Sequence, residues 1–104
     1  MIHVIATVVI KPGLLDQALA IYRQFVPQVL AAESGCLEYA PTVDFETGLA
    51  NQHIDHQRIT VRERWATLAD FKAHLALPHT CEFRSLIKEM LAAPIAILVT
   101  QNAL

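Results

Sequence analysis

Charge is scarce in this sequence. Asp, Glu, Lys and Arg make up 17% of its 104 residues, against roughly 25% in an average domain. No cluster of Lys or Arg exceeds a pair, and the formal charge is −2. Binding a phosphate backbone takes several grouped cations, so nucleic acid is not an expected partner. A long hydrophobic run is also missing. The apolar start, Ile2 to Ile10, stops at Lys11-Pro12-Gly13, far short of the roughly 20 residues that span a bilayer. It lacks a basic n-region and a small-residue cleavage site, so neither membrane insertion nor export is expected and the expected location is the cytoplasm. There are two cysteines, Cys36 and Cys81. They fit no zinc or redox spacing and are expected to be reduced, structural thiols. There is no phosphate loop, G-x-S-x-G elbow or dinucleotide fingerprint. Repeats, linkers and low-complexity segments are absent too, so residues 1–104 read as one domain.

Apolar residues are abundant, at 54% of the chain. A chain this short buries only about two-thirds of the surface its unfolded form exposes. So much apolar sequence is hard to hide without a second copy.

Ile2 to Ile10 is dense in β-branched residues, and Pro12-Gly13 ends it: a first strand. From Leu14 the period becomes helical, with Leu15, Ala18, Leu19, Tyr22, Val26, Val29 and Leu30 on one stripe. Pro27 should kink the last turns without abolishing them. Glu33-Ser34-Gly35 closes the helix, Gly35 suiting a left-handed C-terminal position. Cys36 to Val43 reads as the second strand, and Asp44 to His56 as a long connection or extended hairpin. Ile59 to Trp65 is the third strand, with Ile59, Val61, Glu63 and Trp65 on one face and Thr60, Arg62 and Arg64 on the other. Thr67 and Asp70 have capping-box spacing and start a short helix through Leu68, Phe71 and Leu75. Pro78 separates it from a third helix carrying Phe83, Leu86, Ile87, Met90 and Leu91. Pro94 stops that helix, and Ile95 to Thr100 forms the last strand.

The order βαββααβ, with an antiparallel hairpin between strands two and three, predicts an α+β fold: a ferredoxin-like split βαβ sheet with its helices on one face. The first and last strands are apolar at both parities, which normally means burial on both sides. Three helices cannot wrap both faces. Roughly 400 Å² of wet apolar sheet would be at the upper end of what monomers expose. Burying it would contribute on the order of 10 kcal/mol per subunit before association costs. A homodimer, with the partner's sheet as cover, is the expected state.

His79 lies one turn before Phe83, at the head of an apolar stripe, and His74 lies one turn beyond Phe71. The break at Leu77-Pro78 could bring both imidazoles to one end of the domain. Each reads as a general base or as a helix-end histidine satisfied by a carbonyl, and spacing does not separate these. Trp65, Glu63 and Tyr39 could meet across the hairpin. Together with Phe71 and Phe83 they would suit a planar aromatic ligand, or equally an ordinary core. A buried Glu63 would need a partner, expected to be Arg or His. His53 and His56 are a weak metal signal: they fall on opposite faces of a strand, with no third ligand, so no metal is expected.

The ordered set Glu33-Ser-Gly-Cys-Leu-Glu-Tyr39, Ile59-Thr-Val-Arg-Glu63-Arg-Trp65, His74 and Pro78-His79 resembles the antibiotic biosynthesis monooxygenase domain family over nearly the whole chain. The resemblance implies a dimeric α/β barrel of ferredoxin-like subunits with a pocket between sheet and helices. It also implies oxygenation of quinols or polyphenols by O₂ without metal or organic cofactor. The matching positions are Tyr39, Glu63, Trp65, His74 and His79. The expected activity is therefore a cofactor-independent monooxygenase acting on a small aromatic substrate, with His74, His79 and Trp65 catalytic and Tyr39, Glu63, Phe71 and Phe83 binding substrate. The alternatives are a non-catalytic dimeric small-molecule-binding or stress-response protein, and a haem-degrading relative. Such relatives use an asparagine on the first strand, where this sequence has only Ala6 and Thr7 nearby.

Overall fold

A computed structural model describes all 104 residues. Chain order is β1 (Ile2–Val9), α1 (Leu15–Ala32), β2 (Cys36–Val43), β3 (Arg58–Trp65), α2 (Leu68–His74), α3 (Pro78–Ile87), a 3₁₀ turn over Lys88–Met90, and β4 (Ala96–Thr100). The strands form one antiparallel sheet in the order β2-β3-β1-β4. This is the split βαβ arrangement read from the sequence.

Each strand sorts its residues by parity. Val4, Ala6 and Val8 of β1 pair with Glu63, Val61 and Ile59 of β3 on the face that the helices cover. There Val4, Val8 and Ile59 are fully buried. The same register puts Ile5 opposite Arg62 and Val9 opposite Arg58 on the other face. β1 ends in a turn in which Gly13 takes φ +83° and Leu14 N–H donates to Lys11 C=O at 3.2 Å. Proline followed by a positive-φ glycine is the chemistry of a type II turn.

α1 runs through Pro27 unbroken and buries Ala18, Tyr22, Phe25 and Val29. These lie at offsets 0, 4, 7 and 11, one side of a 3.6-residue helix. The expected stripe is therefore rotated: Phe25 belongs to it, whereas Leu30 is exposed. Gly35 does not take a left-handed conformation. A β-carbon there would lie 2.6 Å from Asp70 Oδ2, so glycine is required for close approach of the α1–β2 turn to the start of α2. Thr67 caps α2, its Oγ1 accepting from Asp70 N–H at 3.1 Å and donating to Asp70 Oδ2 at 2.8 Å; the Asp70 carboxylate does not reach back to the Thr67 backbone N–H as in a full capping box. α3 ends at Ile87 and leaves Leu86 exposed, so the expected continuous stripe to Leu91 breaks at the 3₁₀ turn.

The connection at 44–57 contains no strand. Its ends are tied by Asp44, which pairs with Arg58 and accepts from Asp55 N–H at 2.9 Å. His53 and His56 are exposed in this loop rather than on a strand.

The expected α/β barrel is not what the chain forms. The sheet is open, with β2 and β4 as two unpaired edges. Four strands lack the strand number and tilt that bring first and last edges into hydrogen-bonding reach. β4 is exposed at every position. No helix is long and apolar enough to cross a membrane.

Candidate functional site

Between the helices and the covered face of the sheet lies a cavity of about 200 Å³, with ten hydrophobic residues among the fourteen that line it. Ala6 and Val8 form its floor, Tyr22 and Phe25 of α1 and Phe83 of α3 its walls, and Leu75, Arg84 and Ile97, all exposed, its mouth. An engineered apolar cavity of roughly 150 Å³ holds a benzene ring, so this space admits a substituted aromatic. Of the residues singled out from the sequence, Tyr39, Glu63, Phe71, His74 and Phe83 line it. Trp65 and His79 do not. Trp65 is fully buried behind Glu63, and His79 lines a separate crevice of about 70 Å³ between α1 and α3.

Tyr39 and Glu63 are directly paired on β2 and β3. The Glu63 carboxylate has neither Arg nor His as partner: its Oε1 accepts from the Trp65 indole N–H at 3.0 Å. Residues two apart on a strand share a face, which makes this bond local to the strand. Burial pushes the Glu63 pKa up to about 7, the indole bond opposing this and the charge of Glu33 adding to it. Burial likewise raises Tyr39 and Tyr22, with Glu63 the next cause for both.

Beside the cavity, three side chains from three elements meet. Glu33 follows α1, His74 ends α2 and His79 opens α3. Glu33 Oε2 lies 2.9 Å from His74 Nδ1 and 2.7 Å from His79 Nε2. The break at Leu77-Pro78 turns the chain so that both imidazoles reach one carboxylate. Burial lowers the His74 pKa, the hydrogen bond and charge of Glu33 offsetting only part of this. The ring therefore stays neutral near pH 7, with Nδ1–H donated to Glu33 and Nε2 a free base. His74 also packs on Trp65, with ring centroids 4.7 Å apart. The donor atoms of Glu33, His74 and His79 lie within 4.8 Å of one another and are the set this chain could offer a cation. As they stand, they satisfy each other.

No buried side-chain N or O atom lacks a partner. Glu63 Oε2, His74 Nε2 and the Tyr22 and Tyr39 hydroxyls have no bonding partner within the chain, so each must meet accessible space. The cavity that all four residues line is that space. Four polar side chains thus line an apolar chamber, which is the usual composition of a small-molecule site.

Sequence reasoning missed Glu33, which it treated as a helix terminator, and Phe25, which stacks on Phe83 at 4.2 Å and 17°. It also missed Tyr22, Thr80 and Arg84 in the lining. Tyr22 and Phe25 were findable from the 18-22-25-29 row. A carboxylate ending an apolar helix, with two histidines downstream, was one signal for Glu33, and its place at the head of the Glu33–Tyr39 pattern was another.

The sequence pattern of the antibiotic biosynthesis monooxygenases matches residues 1–86. The chain is 35% identical over 94 residues to "Probable quinol monooxygenase YgiN" of Escherichia coli K12, covering 85% of this chain and 86% of that protein. Among solved structures, an antibiotic biosynthesis monooxygenase superposes with a TM-score of 0.82 at 26% identity, over 99% of both chains. A conserved protein of Methanosarcina mazei Go1 superposes with the same TM-score at 21% identity, over 96% of this chain and 90% of its own, and shows the fold alone. By sequence over most of its length, and with the fold to match, the chain belongs to the antibiotic biosynthesis monooxygenase family.

Proposed function

We propose that this protein is an oxidoreductase that oxygenates a small quinol or polyphenol with O₂, the aromatic itself supplying the electrons. The observation that carries the reading is His74: Nδ1 is held by a buried carboxylate, and Nε2 is left free at an apolar cavity of single-ring size. A fixed tautomer with its second nitrogen facing substrate is the arrangement of a general base. His74 takes a phenolic proton. The electron-rich phenolate then gives one electron to O₂, and the radical pair combines as a ring peroxide. Tyr39, Phe71 and Phe83 hold the ring and keep water out. Trp65 acts from behind, packing on His74 and orienting Glu63. His79 is assigned to holding Glu33 in place. The relative in Escherichia coli, whose name specifies a quinol, supports this substrate class. A chamber of about 200 Å³ argues against a tetrapyrrole, because ligand pockets for even drug-sized molecules run roughly 300–1,000 Å³.

The reading is tested by oxygen uptake with methylhydroquinone, corrected for autoxidation. His74→Ala is expected to lower kcat by about 100-fold, the usual worth of a general base, with a much smaller effect for His79→Ala. Uptake unchanged in His74→Ala would remove the assignment.

We also propose that the working form is a homodimer. β4 is bare on both faces, with Ile97, Leu98 and Val99 exposed, and a second copy is the available cover for it.

A further inference from the structure

Glu63 is chemically out of place in a purely structural account. It is 5% exposed, and no lysine, arginine or histidine bonds it. Its single bond, from Trp65 to Oε1, fixes the side chain, while Oε2 opens onto the cavity that also receives His74. The titratable and charged groups around it are Tyr22 from α1, Cys36 and Tyr39 from β2, Glu33 after α1, His74 from α2 and Arg84 at the mouth from α3. β1 and β4 contribute none to this lining. Isolated buried carboxylates are costly, and an amide would accept the indole bond as well. The cavity-facing oxygen needs a reason.

We infer that Glu63 is the proton donor for O–O cleavage in the proposed reaction, its Oε2 protonating the hydroxide that leaves the ring hydroperoxide while His74 takes the ring C–H proton. This rests on the function proposed above and adds its second half. In the first half, His74 removes the phenolic proton, the phenolate and O₂ combine, and the peroxide anion regains that proton from His74 as a hydroperoxide. In the second half the C–H bond and the O–O bond break together, and a carbonyl forms on the ring carbon. The C–H proton goes to His74, and the Glu63 proton goes to the departing hydroxide. One oxygen of O₂ ends in the carbonyl and the other in water. A quinol C₆H₆O₂ plus O₂ thus gives C₆H₄O₃ plus H₂O, and transfer of the proton from His74 to Glu63 through solvent restores both groups. Their surroundings favour these roles at neutral pH: burial holds part of the Glu63 population protonated and keeps His74 neutral. Two titratable groups with pKa values pushed in opposite directions are a signature of an acid–base pair.

The test uses ¹⁸O₂ and methylhydroquinone with the full-length protein. Wild type is expected to give a hydroxyquinone carrying one ¹⁸O, with little hydrogen peroxide. Glu63→Gln keeps an acceptor for Trp65 but has no acidic proton. It is expected to lose about 100-fold in labelled product with KM changed little, releasing unlabelled quinone and H₂¹⁸O₂ instead. Glu63→Asp retains the acid one methylene short and is expected to recover part of the label. Glu63→Gln incorporating label at the wild-type rate would overturn the assignment, as would Glu63→Asp and Glu63→Gln losing label equally. A wild type that incorporates no label, whether or not it consumes oxygen, would instead overturn the oxygenation on which the inference rests.

Discussion

A carboxylate set between an indole N–H and an apolar chamber titrates against its own fold. Glu63 has a pKa of about 7 in the folded chain, against the ordinary 4.5. Between these values the folded state keeps a proton that the unfolded state has lost, so stability falls as pH rises through this window. The full shift corresponds to about 3 kcal/mol once the group is ionised. His74 works in the opposite sense. Its folded pKa lies below 6.5, so protonating it as pH falls below that value favours the unfolded chain. The two windows overlap, and a difference measurement separates them. In denaturant unfolding, Glu63→Gln is expected to gain stability over wild type progressively from pH 5 to pH 8, by up to about 3 kcal/mol. A pH-independent difference would refute the titration. At this scale, the residues of β3 were legible because period-2 alternation placed Glu63 and Trp65 on one face. Glu33 was not: a carboxylate at a helix end normally reads as solvated. Its burial depends on imidazoles that arrive 41 and 46 residues later.

Element boundaries were legible at Pro78, at Thr67–Asp70 and along β3, but not at Pro94: α3 ends at Ile87 and its 3₁₀ turn at Met90, before that proline is reached. Which way a glycine is used was not legible either. Both a left-handed terminus and a tight crossing call for glycine, and the crossing partner here is Asp70 on another element. Gly35→Ala is therefore expected to destabilise the chain through collision with the Asp70 side chain, by about 1–3 kcal/mol. Asp70→Ala in the same background removes the obstructing carboxylate and should recover part of that loss. A Gly35→Ala variant as stable as wild type would show that the start of α2 yields at no cost. The rotation of the α1 stripe has a similar origin. Leu30 lies one turn from Val26 and Phe25 one turn from Val29, and it is tertiary packing that turns Phe25 inward, onto Phe83 of α3 and edge-on to Tyr39 of β2.

For the molecule as a whole, apolar residues at both parities of the first and last strands were legible, but their consequence was only partly so. The outward face is mixed: Ile5, Val9 and Leu98 share it with Thr60, Arg58 and Arg62. Its apolar residues lie mainly on β1 and β4, with Ala40 of β2 opposite Arg62. Closure into a barrel did not follow, because two-sided apolarity says that a strand needs cover without saying what supplies it. If a second chain does, light scattering at micromolar concentration should give the mass of two chains for the wild type. Leu98→Glu, at a position 60% exposed in the single chain, should give the mass of one with the fold retained. A folded wild type of single-chain mass would refute the dimer.

The bare strand reaches the mouth of the chamber, since Ile97 of β4 lies there. Whatever rests against β4 also acts as a door. If the door is another copy, its closure follows mass action: dilution would leave the chamber ajar, let water in and let reactive oxygen species escape. Turnover per chain would then fall as the protein is thinned, although no residue at the centre of the chemistry had changed.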